Sequence, residues 1–178
     1  MKKIIKATVF IIVFSVVAPL TFSTSKSQET AISQIKKEYD KTIENEKNYK
    51  VRTVKINSSH EMSYLSEGDS VRYYTENEKL KKVISFQYTE VEGYSSRWIN
   101  EYYVKNGKPY FIVETKIEED NKKLEKPYVI RYYFSSDEKL IRVVEDGIVY
   151  DKIDNTLVEA GFSILEQFYE IRDLMRNL

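Results

Sequence analysis

The sequence predicts an α+β protein: an antiparallel β-meander of about six to eight strands, an N-terminal helix, and a C-terminal amphipathic helix packed on the sheet. Three observations predict it. A tyrosine-rich phrase recurs three times through the middle of the chain, each time before a polar turn. The segments on either side carry apolar residues at three- and four-residue spacing. Between them the period shortens to that of extended strands.

The chain has 178 residues, enough for one ordinary domain, with 42% hydrophobic and 31% charged residues. Fifteen tyrosines and eight phenylalanines supply the burial that a disordered polar chain lacks. Its first residues read as an export leader, residues 1–27. Lys2, Lys3 and Lys6 precede an uncharged, mostly apolar run from Ala7 to Ala18, and small residues follow at Ser23, Thr24, Ser25 and Ser27. An uncleaved membrane anchor is the competing reading, and Pro19 with the polar stretch after it favours cleavage. Removal through Ser27 takes away four lysines, leaving 24 basic and 28 acidic side chains, a net charge of −4. That balance speaks against nucleic acid, whose phosphates require a basic surface. The expected compartment is the periplasm or the cell exterior, and the Lys, Ile, Tyr and Asn bias suggests a bacterial source. With no cysteine, disulfide staples are impossible even where the compartment permits them.

The mature domain is expected to run from residue 28 to 178. Over residues 28–48, Ile32, Ile35, Tyr39 and Ile43 share one helical face. Residues 49–150 form the meander. Its repeats are Arg72-Tyr73-Tyr74-Thr75, Glu101-Tyr102-Tyr103-Val104 and Arg131-Tyr132-Tyr133-Phe134, spaced 29 and 30 residues apart. Each opens a β-hairpin. Asn106-Gly107 predicts a two-residue turn, pairing Val104 with Pro109, Tyr103 with Tyr110 and Tyr102 with Phe111. Both faces of the hairpin then carry rings, one face meeting the helices and the other partly open. Over residues 155–178, Leu157, Ala160, Ile164, Phe168, Ile171, Met175 and Leu178 form a broad apolar stripe, with Thr156 and Glu159 as a capping box.

The chemistry is narrowed by what is missing. A cysteine nucleophile is excluded, and a Ser–His–Asp site would have to use His60, the only histidine, in a polar loop. Thiol and multi-histidine metal sites fall by the same counts. No cofactor is implied, and no glycine-rich phosphate loop occurs among five glycines. Carboxylates are the abundant catalytic groups, which keeps open a hydrolase acting on an envelope or dietary glycan. Aromatic residues suit a stacking platform for a protein or glycan partner, and Tyr74, Tyr103, Tyr110, Tyr133 and Trp98 are the candidate binding residues. The leading expectation is therefore an exported, non-catalytic binding protein. A structural envelope component is the third reading.

The run from Glu101 through Asn106-Gly107-Lys108 to Phe111, with Arg131-Tyr132-Tyr133-Phe134 and Lys139-Leu140-Ile141-Arg142, resembles a group of exported bacterial proteins of Bacteroidetes type. These carry Tyr-Tyr phrases followed by Asn-Gly-Lys turns. A looser similarity links the tyrosine-and-turn phrases to MORN-type repeats. Both resemblances imply meandering hairpins and neither assigns an activity or a functional residue.

Overall fold

The structure, a computed structural model, describes residues 25–57, 62–120 and 123–176. Most of the leader, His60 and Leu178 lie outside them. A helix α1 (Lys26–Asn45) and a short 3-10 turn (Glu46–Asn48) lead into nine strands. These are β1 (Lys50–Lys55), β2 (Ser70–Glu76), β3 (Lys79–Val91), β4 (Tyr94–Lys105), β5 (Lys108–Asp120), β6 (Lys123–Leu124), β7 (Tyr128–Phe134), β8 (Leu140–Glu145) and β9 (Ile148–Tyr150). Helix α2 (Asn155–Arg176) follows. All pairings are antiparallel, in the order β1-β2-β3-β4-β5-β7-β8-β9, with the two-residue β6 also on β5. The chain is thus an α+β meander, as the repeat predicts.

The hairpins differ from expectation by one residue, and the difference recurs. Val104 pairs with Pro109, but Tyr103 pairs with Phe111 and Tyr102 with Ile112, not with Tyr110 and Phe111. An extra residue, Tyr110, bulges from the return strand. Lys81 and Ile141 bulge at the corresponding places in the other two hairpins. A bulge increases local twist and re-aims the inserted side chain. Here it turns Tyr110 toward α1, where its hydroxyl lies 3.1 Å from Thr42 Oγ1. Proline at the neighbouring position, lacking an N–H, is tolerated at such an irregularity.

The first two hairpin turns are alike, while the third runs over Ser135–Lys139 with only Glu138 at positive φ. Asn106 and Gly107 both have positive φ, +55° and +78°, as a type I′ turn requires. The first hairpin uses Asn77 and Glu78 at +49° and +63° in the same role. Glutamate there carries the steric cost of a left-handed backbone that glycine avoids. Glu78→Gly should therefore raise the unfolding free energy by up to about 1 kcal/mol in a denaturant titration, net of the entropy of a freer unfolded chain.

Both faces of the sheet are covered at the turn end, by one helix each. This corrects the expectation that a single face receives the helices. The two tyrosines of each repeat separate because side chains alternate along a strand. Tyr73, Tyr102 and Tyr132 enter the larger core beneath α2, with Val83, Ile112, Ile164, Phe168 and Ile171. Tyr103 and Tyr133 enter a smaller core beneath α1, with Ile32, Ile35 and Phe111. The Tyr73 hydroxyl donates to the Ile171 carbonyl at 2.7 Å, tying α2 to β2.

Helix α1 is anchored at both ends. Gln28 Nε2 donates to the Ile141 carbonyl at 2.5 Å, and Glu29 pairs with Arg142 at 2.6 Å. Its far end reaches Lys82 through Glu46 at 3.1 Å. The inward positions are Ile32, Ile35, Tyr39 and Thr42, while Ile43 is exposed. The apolar pattern chose Ile43, but the sheet offers a hydroxyl at that point and Thr42 meets it. Similarly Asp154, not Thr156, caps α2, accepting from the Leu157 N–H at 3.0 Å. Gly161 lets α2 approach the sheet: a methyl group there would stand 3.1 Å from Leu140 Cδ2.

The turn-side half of the α2 face is closed by α2 and by the β1–β2 loop, which inserts Ile56 and Leu65 into the larger core. Helix α1 covers the opposite face only near the hairpin turns. Beyond it, no described helix or loop lies over the α1 side of β3, β4 and β5.

Candidate functional site

The strand registers place the residues of the α1 face in bands that run across the sheet. Under α1 lie Lys82, Tyr103, Phe111 and Tyr133 in one band. One step outward, Arg72, Ile84, Glu101, Val113 and Arg131 line up on β2, β3, β4, β5 and β7. The next band is Phe86, Ile99, Thr115 and Val129, then Tyr88, Arg97 and Ile117. At the ribbon tip come Glu90, Ser95 and Glu119. On this surface Ile84 is 8% exposed, Phe86, Ile99, Thr115 and Ile117 are partly buried, and Tyr88 is 51% exposed.

Two grooves open on this face. One of about 490 Å³ lies beside α1, between Lys36, Tyr39 and Asp40 on the helix and Tyr103, Val113 and Arg131 on the sheet. Another of about 430 Å³ lies at the tip, around Tyr88, Arg97 and Glu119. Elsewhere, a groove of about 570 Å³ lies at the turns beside Thr42, Tyr49 and Tyr110. An apolar groove of about 560 Å³ runs along α2 beside Phe134 and Phe162.

The electrostatics of the α1 face divide it in two. Beneath the helix, Lys82 is 4% exposed and bridges Glu46 and Glu101 at 3.1 and 2.8 Å. Its ammonium sits 5.1 Å from the Tyr103 ring centre and 5.6 Å from that of Tyr74. Burial works against this charge, but the two carboxylates outweigh it and hold its pKa above the ordinary lysine value. Glu101 also accepts from the Tyr103 hydroxyl at 2.9 Å. Burial, and then that carboxylate, push the Tyr103 hydroxyl upward. Farther out, Arg72 lies 4.9 Å from the Phe86 ring and Arg97 5.8 Å from the Tyr88 ring. Among the described residues no carboxylate pairs with Arg72, Arg97 or Arg131.

The five residues chosen from sequence do not form one surface. Tyr74, Tyr103 and Tyr133 are 8%, 2% and 7% exposed, so the rings chosen as a platform act as the floor beneath α1. Tyr103 and Tyr133 still line the groove beside that helix. Tyr110 is half-buried at the turn groove. Trp98 stands on the opposite face, with Lys116 Nζ 5.0 Å from its ring. The residues that sequence reasoning passed over are Phe86, Ile99, Ile117 and the three arginines. Alternation carried outward from each Tyr-Tyr phrase would have found them, since Ile99 and Arg97 lie two and three alternate positions from Tyr103.

On the α2 side, burial pushes the Glu114 carboxyl above the usual carboxylate range. The same band holds buried Ser85 and Asn100, and Gln167 of α2 accepts from the Asn100 amide at 3.3 Å. Two strands away, Glu145 accepts from the Tyr128 hydroxyl. Glu114 lines none of the four grooves. Among the described residues no group of three His, Cys, Asp or Glu side chains is placed to hold a metal ion. No helix among them is long and apolar enough to cross a membrane. Comparison with protein families, with characterised proteins and with solved structures gives no match to this chain.

Proposed function

We propose that this is a non-catalytic interaction protein of the periplasm or cell exterior, and that the uncovered sheet face beside α1 is its contact surface. The observation that carries this reading is what each face shows beyond its helix. On the α2 side the outer strands carry Gln87, Trp98 and Lys116, while on the α1 side Phe86, Ile99, Ile117 and Val129 have no described element above them. A contiguous apolar surface with charges at its margins is what protein contact surfaces present. It is broad and shallow, which suits a macromolecule rather than a small substrate. The compartment rests on the leader. A hydrolase would use Glu114, but that carboxyl lies outside the grooves described, and among the described residues no second free acid is set across a cleft from it, so binding is favoured.

Adjacent residues test the reading because they face opposite ways. Benzoylphenylalanine at Tyr88 samples the proposed surface, and at exposed Thr89 it samples the other face. Irradiation in the producing cell should yield covalent protein adducts from position 88 and none from position 89. Adducts from 89 alone, or from neither position, would remove the assignment.

A further inference from the structure

This inference rests on the reading of the uncovered face as a contact surface and names the occupant. The charges on that face are ordered along the strands. The band nearest α1 places Arg72 and Arg131 outside Ile84 and Val113. The band farthest from α1 places Glu90 and Glu119 on β3 and β5. Glu101 also stands in the band nearest α1, where Lys82 pairs with it at 2.8 Å, and between the two ends the surface is apolar apart from Thr115 and Arg97. A face that is basic at one end, acidic at the other and apolar between is complementary to itself turned end for end.

We propose that a second copy of this chain stacks on this face, related by a two-fold axis that lies between the two sheets and runs across the strands. Such an axis reverses the order of the bands and keeps the order of the strands. Glu119 of the second copy then falls over Val113, one strand from Arg131. Its Glu90 falls over Ile84, one strand from Arg72. The Phe86 and Ile99 band meets the band of Tyr88, Arg97 and Ile117. Sheets packed face to face stand about 10 Å apart, within reach of paired glutamate and arginine side chains. Because α1 rises from the same face by about 10 Å, the tip of the second copy lies beside the helix in one layer, against Lys36 and Asp40.

The alternative two-fold axis, running along the strands, leaves the bands in place and sets arginine against arginine and glutamate against glutamate. Like charges brought together in this way oppose association, so the charge order selects the first arrangement. Self-complementarity of one patch is also the requirement of any two-fold homodimer. Strand spacing and rise make the bare patch roughly 20 Å by 20 Å. With the edge of α1 added, it reaches the lower end of specific interfaces, and the expected dissociation constant is micromolar.

Sedimentation equilibrium of the protein purified from its producing cell tests this. The wild type should sediment at twice the monomer mass at high micromolar concentration. Arg131→Glu and Glu119→Arg should each weaken dimerisation by about tenfold or more. The double variant, with both signs exchanged, should recover to within about threefold of wild type. Mixing the two single variants should likewise favour the heterodimer, which restores one native and one reversed contact. Neither residue has an ion pair among the described residues, so thermal melts of the variants should match the wild type. A wild type that stays monomeric, or a double variant no better than the worse single, overturns the proposal. If the monomer is nonetheless captured through position 88 by a different protein, the contact-surface reading survives and the second copy is ruled out. If position 88 captures nothing, both fall.

Discussion

Tyr103→Ala should lower the unfolding free energy by about 3–5 kcal/mol, the range for deleting a large buried aromatic ring. Tyr103 is 2% exposed and its ring packs edge-on to Tyr39, centroids 4.8 Å apart, and beside Phe111 at 5.6 Å. The substitution removes the ring under Lys82 and the hydroxyl that donates to Glu101. Phe86→Ala, farther out on the same face, should cost under about 1.5 kcal/mol, because a ring that is only partly buried loses less burial. Urea titrations of the two variants check the contrast. Equal losses would mean that the outer bands are as essential to folding as the floor beneath α1. The same geometry changes what a tyrosine substitution can report. Serine at Tyr103 measures folding, and the residues whose loss should alter association without altering stability lie in the outer bands.

Alkaline pH should unfold the domain cooperatively between about pH 10 and 12. Tyr73, Tyr102, Tyr103, Tyr110 and Tyr132 all have hydroxyls pushed above the ordinary tyrosine value, chiefly by burial, Tyr110 to about 12. Lys82 is also raised, by its two carboxylates. For each of these groups the folded pKa exceeds the unfolded one. The stabilisation is therefore complete below about pH 10, where tyrosine is neutral and lysine charged in both states. It is lost as pH climbs toward the folded values, because only the unfolded chain gives up the proton. Each group contributes a slope of about 1.4 kcal/mol per pH unit. Five tyrosines together reach roughly 7 kcal/mol per unit, enough to exhaust an ordinary domain's 5–15 kcal/mol within two units. Tyrosinate absorbance and circular dichroism should change together. Stepwise tyrosinate formation near pH 10 with the dichroism intact would contradict the burial of these rings.

The meander was legible because the repeat and its turns are local signals. Asn106-Gly107 and the Tyr-Tyr phrases mark strand, turn and strand within a dozen residues. What was hidden depends on contacts far apart in the chain. No local pattern marks Tyr110 as an inserted residue, since the bulge is resolved by pairing with β4 and by Thr42, 68 residues away. The choice of Thr42 over Ile43 has the same origin: hydrophobic period ranks the side chains, and only the facing tyrosine decides that a hydroxyl fits. The candidate site was half visible. The sequence pointed to the correct hairpins but chose their most aromatic positions, and rings flanking a turn are the ones that helices cover. The bare surface begins two alternate positions farther along each strand, where Ile99, Arg97 and Ile117 read as ordinary strand residues.

The anchoring of α1 also bears on when the fold can form. Gln28 and Glu29, near the front of the domain, are held by Ile141 and Arg142, 113 residues later. Helix α1, made early, is therefore among the last parts to find its seat. Until the third hairpin is present, α1 has no β8 to bind, and the smaller core lacks Tyr133. Such long-range closure slows folding. It also leaves the apolar face of α1 bare until nearly the whole domain has been synthesised, although the hairpins in between can pair earlier.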